Sequence, residues 1–241
     1  MNKYLYILFI LVCIIFYIYY KSYYSFEKYK LWNNVKINFD LKNFKKICGN
    51  EIVEIGDFSN NNEDSLYPNN TNKIKLNDWF LNDNSLLNDN NIQTRIFFFK
   101  ESIHPISQYL INWIYNIKDI LPNKLQNILN NKNIKIKFSL RISRNNWNYP
   151  NHFDAIDSFM IIISGNRNVV LNNNIHYILK PNDILFFQQG IYHHFYCNNK
   201  NQLNIVFCIS YSDNFNKDVN NLFKKLYSKQ QERTIKYIDF I

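Results

Sequence analysis

The chain is poor in cysteine, glycine and proline: its 241 residues include four, four and five of them. The cysteines show no Cys-x-x-Cys spacing and no cluster, which excludes the cysteine-rich ligand set of a closed structural zinc site. Cys197 and Cys208 could oppose each other across a hairpin, but buried free thiols are the favoured interpretation. Scarce glycine and abundant asparagine are typical of AT-rich coding. Asn-rich stretches such as Ser59 to Asn72 therefore indicate a loop or linker rather than a function.

The N-terminal stretch from Tyr4 to Tyr20 lacks any charged residue, and no small-x-small cleavage site follows it. At about 1.5 Å per residue, a helix of this length is near the lower limit for crossing a bilayer. Tyrosines at both ends fit the membrane interface, and the missing cleavage site argues against a signal peptide. The sequence therefore predicts a single, uncleaved transmembrane anchor.

Positive charge follows this stretch. Seven lysines lie between Lys21 and Lys46 against Glu27 and Asp40, a net +5 of the +9 carried by the whole chain. Because positive charge collects on the cytosolic side of a membrane, this predicts a membrane protein whose main domain faces the cytosol. The same lysines could lie on an anionic leaflet. The basic balance is weaker evidence for nucleic acid, which we do not expect as a partner.

Apolar periodicity predicts a mainly β chain with flanking helices. Pro105 to Leu121 has apolar residues at three- and four-residue spacing and is expected to be a helix, whereas Lys135 to Ile142 alternates like a half-buried strand. Early strands are expected at Trp79-Phe80 and from Gln93 to Phe99. Later strands are expected at Phe159 to Ile163, Asn168 to Leu171, Ile175 to Leu179, Ile184 to Phe187, His193 to Cys197 and Leu203 to Tyr211. Many short strands with tight turns favour a double-sheet jelly roll.

The expected organisation has four parts. Residues 4–20 are the anchor, and residues 21–75 are a basic juxtamembrane segment and an Asn-rich linker. Residues 76–212 form the jelly-roll domain, with its core at 135–212. Residues 213–241 hold a C-terminal amphipathic helix that packs against the barrel. A chain of this length has one domain by default, and two are possible.

The sequence His152-Phe153-Asp154 can supply two metal ligands, because residues two apart in a strand face the same side. A third ligand has to come from elsewhere in the fold. His193 and His194 end a second apolar stretch after the Gln188–Gly190 turn, and alternation lets only one of the two face inward. Two histidines and one carboxylate are the ligand set of a non-haem Fe(II) oxygenase, which leaves positions open for a bidentate cosubstrate and O2.

The region from about Lys135 to Ser212 resembles the JmjC-type, cupin-like Fe(II) and 2-oxoglutarate-dependent oxygenases. In that family a basic residue lies fifteen positions after the first histidine, usually a lysine, and here it is Arg167. An aromatic residue seven positions after that histidine is matched by Phe159. The family's Pro-Gly-Asp-x-Leu-aromatic strand is matched by Pro181–Phe186, with asparagine in place of glycine. The distal histidine ten positions after the aspartate of that strand is His193, so the resemblance selects it over His194.

The resemblance implies a cupin-like double-stranded β-helix that binds Fe(II) through His152, Asp154 and His193. It implies that the far carboxylate of 2-oxoglutarate is bound by Arg167, assisted by Tyr149 and Ser158. The implied activity is that of a dioxygenase that hydroxylates, or demethylates by hydroxylation, a protein or other macromolecular substrate. Two alternatives stay open: a metal-binding cupin without 2-oxoglutarate chemistry, and a catalytically inactive, membrane-tethered jelly roll used for binding.

Overall fold

The computed structural model describes residues 12, 14, 28–57, 71–81, 92–99, 103–143, 147–154, 156–197 and 203–212. The helices in these ranges are α1 (Leu41–Cys48), α2 (Leu76–Leu81), α3 (Pro105–Asn116) and α4 (Asn123–Asn130), with a 3-10 turn at Lys118–Ile120. The strands are β1 (Tyr29–Trp32), β2 (Ile52–Asp57), β3 (Thr71–Lys75), β4 (Ile92–Phe99), β5 (Lys135–Ser143), β6 (Trp147–Phe153), β7 (Asp157–Ser164), β8 (Arg167–Leu171), β9 (Ile175–Leu179), β10 (Ile184–Phe187), β11 (Tyr192–Cys197) and β12 (Asn204–Ser212).

The strands from β5 to β12 form a jelly roll. The larger sheet has the order β1-β10-β7-β12-β5-β4-β2-β3, and the smaller sheet has the order β6-β11-β8-β9. Each connection from β5 to β12 changes sheet, except the β8–β9 hairpin, and the pairings of these eight strands are antiparallel. This strand order is that of a double-stranded β-helix, so the predicted fold class is confirmed for this part of the chain.

Side-chain alternation gives the larger sheet two buried faces. One face packs against the helices, and the other faces the smaller sheet across a space that we call the lumen. Strand β12 shows the division: Phe207 and Ile209 belong to the core under the helices, whereas Val206 and Cys208 belong to the core between the sheets. The helix-facing core also contains Leu110, Trp113, Ile114, Phe138 and Leu140. The lumen core also contains Met160, Leu171, Leu185, Phe187 and Phe195.

The segment expected to be a juxtamembrane stretch and linker contributes to the larger sheet. Strand β1 pairs with β10, with Trp32 opposite Ile184, and it extends the sheet at that edge. Strands β2 and β3 extend the other edge beyond β4. Helix α1 packs Phe44 and Cys48 into the helix-facing core. The part of residues 21–75 that the structure describes is therefore structured with the jelly roll.

Helix α2 replaces the early strand expected at Trp79-Phe80. Leu76 and Phe80 are both buried, and their spacing of four residues places them on one face of a helix. Two adjacent apolar residues fit a strand or a helix equally well. The burial of Leu76, four positions before Phe80, is what identifies a helix. The helix expected from Pro105 to Leu121 is confirmed from Pro105, where α3 begins with His104 as its N-cap, but it ends at Asn116 and is followed by the 3-10 turn.

The predicted single-pass membrane localisation is wrong by the structure: among the described residues, no helix is long and apolar enough to cross a membrane. The longest of those helices, α3, has 12 residues. It therefore spans about 18 Å, against a hydrocarbon core of about 30 Å. The expected anchor at 4–20 lies outside the described residues except for Val12 and Ile14, and the expected C-terminal helix at 213–241 lies wholly outside them.

Candidate metal centre

The jelly roll brings His152, Asp154 and His193 together at one end of the lumen. Strands β6 and β11 pair with His152 directly opposite His193, which sets the two imidazoles side by side. The Nε2 atoms of the two histidines are 3.1 Å apart. Asp154, just after β6, places Oδ1 3.9 Å from His152 Nε2 and Oδ2 3.7 Å from His193 Nε2. The three side chains can therefore hold one metal ion between them.

A backbone hydrogen bond fixes which nitrogen of His193 faces the site. His193 Nδ1 lies 2.8 Å from the carbonyl oxygen of Ile191. A carbonyl oxygen only accepts, so Nδ1 carries the proton and Nε2 keeps its lone pair. That lone pair points at His152 and Asp154. A second hydrogen bond that sets the tautomer in this way is a usual feature of metal-ligating histidines.

The structure separates His193 from its neighbour His194. His193 is fully buried and faces the lumen, whereas His194 lies on the outer face of the smaller sheet. There His194 Nε2 makes a hydrogen bond with the side chain of Asn148. Because side chains alternate along a strand, only one of the two histidines faces the lumen, as the sequence predicted.

The donor set fits a divalent first-row metal. Metal–nitrogen and metal–oxygen bonds of about 2.0 to 2.2 Å separate adjacent ligands of an octahedral ion by about 3 Å. One ligand atom from each residue lies within 4.8 Å of the others, so modest side-chain shifts would bring the three atoms onto such an ion. Two imidazoles and one carboxylate suit a first-row transition metal better than calcium or magnesium, which prefer oxygen ligands.

The electrostatic environment keeps His193 in the form that binds metals. Burial lowers the pKa of His193 below its usual value. Asp154 and the Ile191 carbonyl oppose that effect, and the charge of Arg141 adds to it. The net lowering favours neutral imidazole, which is the ligating form.

Aromatic rings enclose the centre on the lumen side. The rings of Phe187 and Phe195 lie 4.5 Å and 4.9 Å from the His193 ring, centroid to centroid. The ring of Tyr149, a predicted cosubstrate residue, packs edge-on against His152 at 4.5 Å. These contacts fix both imidazole planes and place aromatic rings beside both histidines.

Arg167, the predicted cosubstrate cation, is fully buried at the start of β8. Its guanidinium carbon lies 5.9 Å from the centroid of Phe195, the same ring that contacts His193. The turn before it requires Gly165, whose φ is +74°. A Cβ there would lie 2.7 Å from the carbonyl oxygen of Leu203.

Two further residues of the sequence analysis have structural partners. Ser158, predicted to help bind the cosubstrate, lies in the lumen on β7, and its hydroxyl is 2.8 Å from that of Ser210 on β12. Phe159, the family's aromatic position, faces the helices instead, 4.9 Å from Phe186 by ring centroids. Cys197 and Cys208 are buried free thiols, as favoured from the sequence.

Arg141 is the residue at this centre that the sequence analysis missed. It lies on β5 between Leu140 and Ile142, which both face the helices, so Arg141 faces the lumen. It interacts electrostatically with Cys208, Asp154 and Tyr149. A polar residue in an alternating strand is ordinarily read as the solvent-facing member, and only the second sheet reveals that this face is enclosed. No motif at that spacing could have identified it.

Comparisons with known proteins add solved structures of similar fold. No protein-family profile matches the chain, and no curated protein matches it in sequence. The structure of ycfD from E. coli aligns at 13% identity over 77% of this chain and 50% of that chain, with a TM-score of 0.43. The cupin domain of Cnp3 from Schizosaccharomyces pombe aligns at 12% identity over 36% and 72%, with a TM-score of 0.31. KdgF from Halomonas sp. aligns at 12% identity over 36% and 86%, with a TM-score of 0.29.

These three TM-scores all lie below 0.5, and the cupin-like, double-stranded β-helix assignment rests on the strand order. The alignment with ycfD spans half of that protein's length. The fold, with its His-Asp-His cluster, is thus established at the level of a cupin-like jelly roll that could bind a metal ion.

Proposed function

We propose that this chain is an Fe(II)- and 2-oxoglutarate-dependent oxygenase. The observation that carries the proposal is the convergence of His152, Asp154 and His193 within one cluster. A buried guanidinium, that of Arg167, lies near the Phe195 ring, which also contacts His193. A facial set of two histidines and one carboxylate leaves room for a chelating cosubstrate, and a buried guanidinium suits its second carboxylate.

Each residue of the site has a separate role in binding the metal or the cosubstrate. His152 and His193 supply neutral nitrogen ligands, and Asp154 supplies an anionic one. Arg167 binds the far carboxylate of 2-oxoglutarate, and Tyr149 orients His152 through ring contact. Bound Fe(II) with 2-oxoglutarate and O2 supplies an oxidant for hydroxylation of a C–H bond, with succinate and CO2 as the other products.

Residues around the centre also exclude water. Phe187 and Phe195 cover the lumen side of His193, and both are buried. An apolar wall strengthens the electrostatic interactions inside the site and protects a reactive intermediate from side reactions. We propose a protein or other macromolecule as the substrate, reached at the end of the lumen where Asp154 is partly exposed.

The test is succinate release. Protein loaded with Fe(II) under anaerobic conditions is mixed with 2-oxoglutarate and O2, with and without candidate peptides, and succinate is measured. We expect slow uncoupled turnover without a peptide and a mass increase of 16 Da on a peptide that is a substrate. The variant Arg167→Gln should raise the KM for 2-oxoglutarate at least tenfold while it leaves Fe(II) binding intact.

Two outcomes would reject the proposal. Protein that holds Fe(II) but releases no succinate, coupled or uncoupled, would be a metal-binding cupin with other chemistry. Protein that binds neither Fe(II) nor Mn(II) would be a catalytically inactive jelly roll that serves as a binding module.

A further inference from the structure

The lumen face of β5 is polar, whereas its other face is apolar. Ser139, Arg141 and Ser143 point into the lumen, because Leu140 and Ile142 between them face the helices. Cross-strand register places Arg141 opposite Val206 and Ser143 opposite Asn204. The wall that β5 contributes to the lumen therefore carries a guanidinium, hydroxyls and a neighbouring amide.

Several polar atoms on this wall are buried. In the ranges that the structure describes, Arg141 Nε, Ser143 Oγ and Asn204 Oδ1 have no hydrogen-bond partner. The amide of Asn204 donates its own N–H to Cys197 Sγ at 3.0 Å. Buried polar atoms are nearly always hydrogen-bonded in native proteins, so a cluster of this kind points to a bound polar molecule or ordered water.

The charge of Arg141 is permanent. Burial alone would lower its pKa, but attraction by Cys208, Asp154 and Tyr149 outweighs burial, so the pKa is raised from an already high value. Through Asp154, the charge of Arg141 reaches one of the three proposed metal ligands.

We infer that Arg141 couples carboxylate binding to metal binding: its fixed charge weakens the affinity of the His152–Asp154–His193 cluster for a divalent cation until a dicarboxylate in the lumen offsets that charge. Arg167, which is fully buried, supplies a second cation for the other carboxylate of the same molecule. This inference rests on the proposed function, because it assumes that the cluster binds a metal and that the lumen takes a dicarboxylate. Coupling is reciprocal, so the metal also tightens the binding of the dicarboxylate.

The test measures Mn(II) affinity by the electron paramagnetic resonance signal of free Mn(II), with and without glutarate. Glutarate has the length and two carboxylates of 2-oxoglutarate but lacks its keto oxygen, so keto chelation contributes nothing. In the unmodified protein, we expect saturating glutarate to tighten Mn(II) binding by about fivefold or more. In Arg141→Gln, we expect Mn(II) to bind several-fold tighter without glutarate and to gain little from it.

Two variants act as controls. Arg141→Lys keeps the charge and should retain most of the coupling. Lys42→Gln makes the same change in net charge on the exposed side of α1, outside the lumen, and should leave both affinities unchanged. The thermal midpoint of each variant confirms that it is folded before Mn(II) is added.

The inference is overturned if Arg141→Gln binds Mn(II) as well as or more weakly than the unmodified protein and keeps the response to glutarate. That result would make Arg141 a partner that only holds Asp154 in place. No Mn(II) binding in any variant would reject both the coupling and the oxygenase proposal. Coupling without succinate release from 2-oxoglutarate would reject the oxygenase proposal alone, because neither Mn(II) nor glutarate requires turnover.

Discussion

Adjacent side chains on one strand have opposite surroundings at the candidate centre. His193 is buried with its Nδ1 proton held by a backbone carbonyl, whereas His194 makes its hydrogen bond on the outer face of the smaller sheet. The pair is a natural internal control, because both residues have the same chemistry and lie on the same strand.

We predict that His152→Ala and His193→Ala each abolish retention of Mn(II) or Fe(II), since each leaves two of three ligands. His194→Ala should change metal affinity by less than about twofold, since it touches no ligand. Metal content after dialysis, measured by elemental analysis, checks this. Equal losses from His193→Ala and His194→Ala would reverse the choice of ligand.

Cys48 carries a prediction about pH. Burial raises its pKa from 9.0 to about 11, with a smaller contribution from Glu51. The folded state therefore holds the thiol proton more tightly than the unfolded chain, and the stabilisation is complete below pH 9 and is lost as the pH rises to 11. The shift is equivalent to about 2 to 3 kcal/mol.

The measurement is urea unfolding of the unmodified protein and of Cys48→Ala between pH 8 and about pH 10.5. Other cysteines, tyrosines and lysines titrate in both proteins, so the difference between the two curves isolates Cys48. The unmodified protein should lose more stability with rising pH. Parallel curves would show that the thiol has an ordinary pKa when folded.

At this scale, the sequence predicted the residues of the metal cluster but not Arg141. The cluster residues lie in recognisable spacings, and a chain-local rule, alternation, already limits which of them can face inward. Arg141 has no such spacing. Its importance depends on β12 and the smaller sheet closing over a face of β5, which is a property of distant parts of the chain.

The turn between β9 and β10 shows why one family motif has its form. Asp183 accepts hydrogen bonds from the backbone N–H groups of Lys180, through Oδ2, and of Asn34, through Oδ1. The first closes the turn, and the second ties it to the segment after β1. Asn182 has a φ of +76°, a backbone conformation in which glycine is unstrained and asparagine is tolerated. The motif is therefore structural.

We predict that Asp183→Ala lowers the free energy of unfolding by about 1 to 3 kcal/mol, because it leaves two backbone donors without their acceptor. Asn182→Gly should be neutral or slightly stabilising, and Asn182→Ala should cost about 1 kcal/mol because of the left-handed backbone. Urea unfolding of the three variants checks the order. Equal stability of Asn182→Gly and Asn182→Ala would show that the turn relaxes.

Elements with strong local periodicity were predictable, and those that depend on distant pairing were not. The alternation of β5 and the apolar face of α3 are readable within ten residues of chain. Strand β1 is recognised only through its pairing with β10, more than 150 positions away, as with Trp32 and Ile184. Prediction of helix α2 would have required knowing that Leu76 is buried, which the sequence alone does not reveal.

At the scale of the whole molecule, the larger sheet separates a helix-facing core from the lumen. Phe207 lies in the helix-facing core, where its ring contacts Trp113 at 5.5 Å and Phe138 at 5.7 Å, centroid to centroid. The metal cluster lies in the lumen. The two compartments share the sheet but few side chains. A substitution in the helix-facing core should therefore change the free energy of unfolding without changing the affinity for metal.

We therefore predict that Phe207→Leu lowers the free energy of unfolding by about 1 to 2 kcal/mol and leaves Mn(II) affinity within about twofold. Phe207→Ala should cost about 3 to 5 kcal/mol. Urea unfolding and Mn(II) titration on the same samples check both statements. A matched loss of stability and of Mn(II) affinity in Phe207→Leu would contradict the separation.

Strand β12 lies between β5 and β7, and its successive residues enter the two compartments in turn. Insertion or deletion of a single residue there would exchange the two sets, driving Phe207 and Ile209 into the lumen and Cys208 among the helices. Evolution can thus vary this strand by substitution but not by changes in length, and descendants of this gene should differ in β12 by composition while its residue count stays fixed.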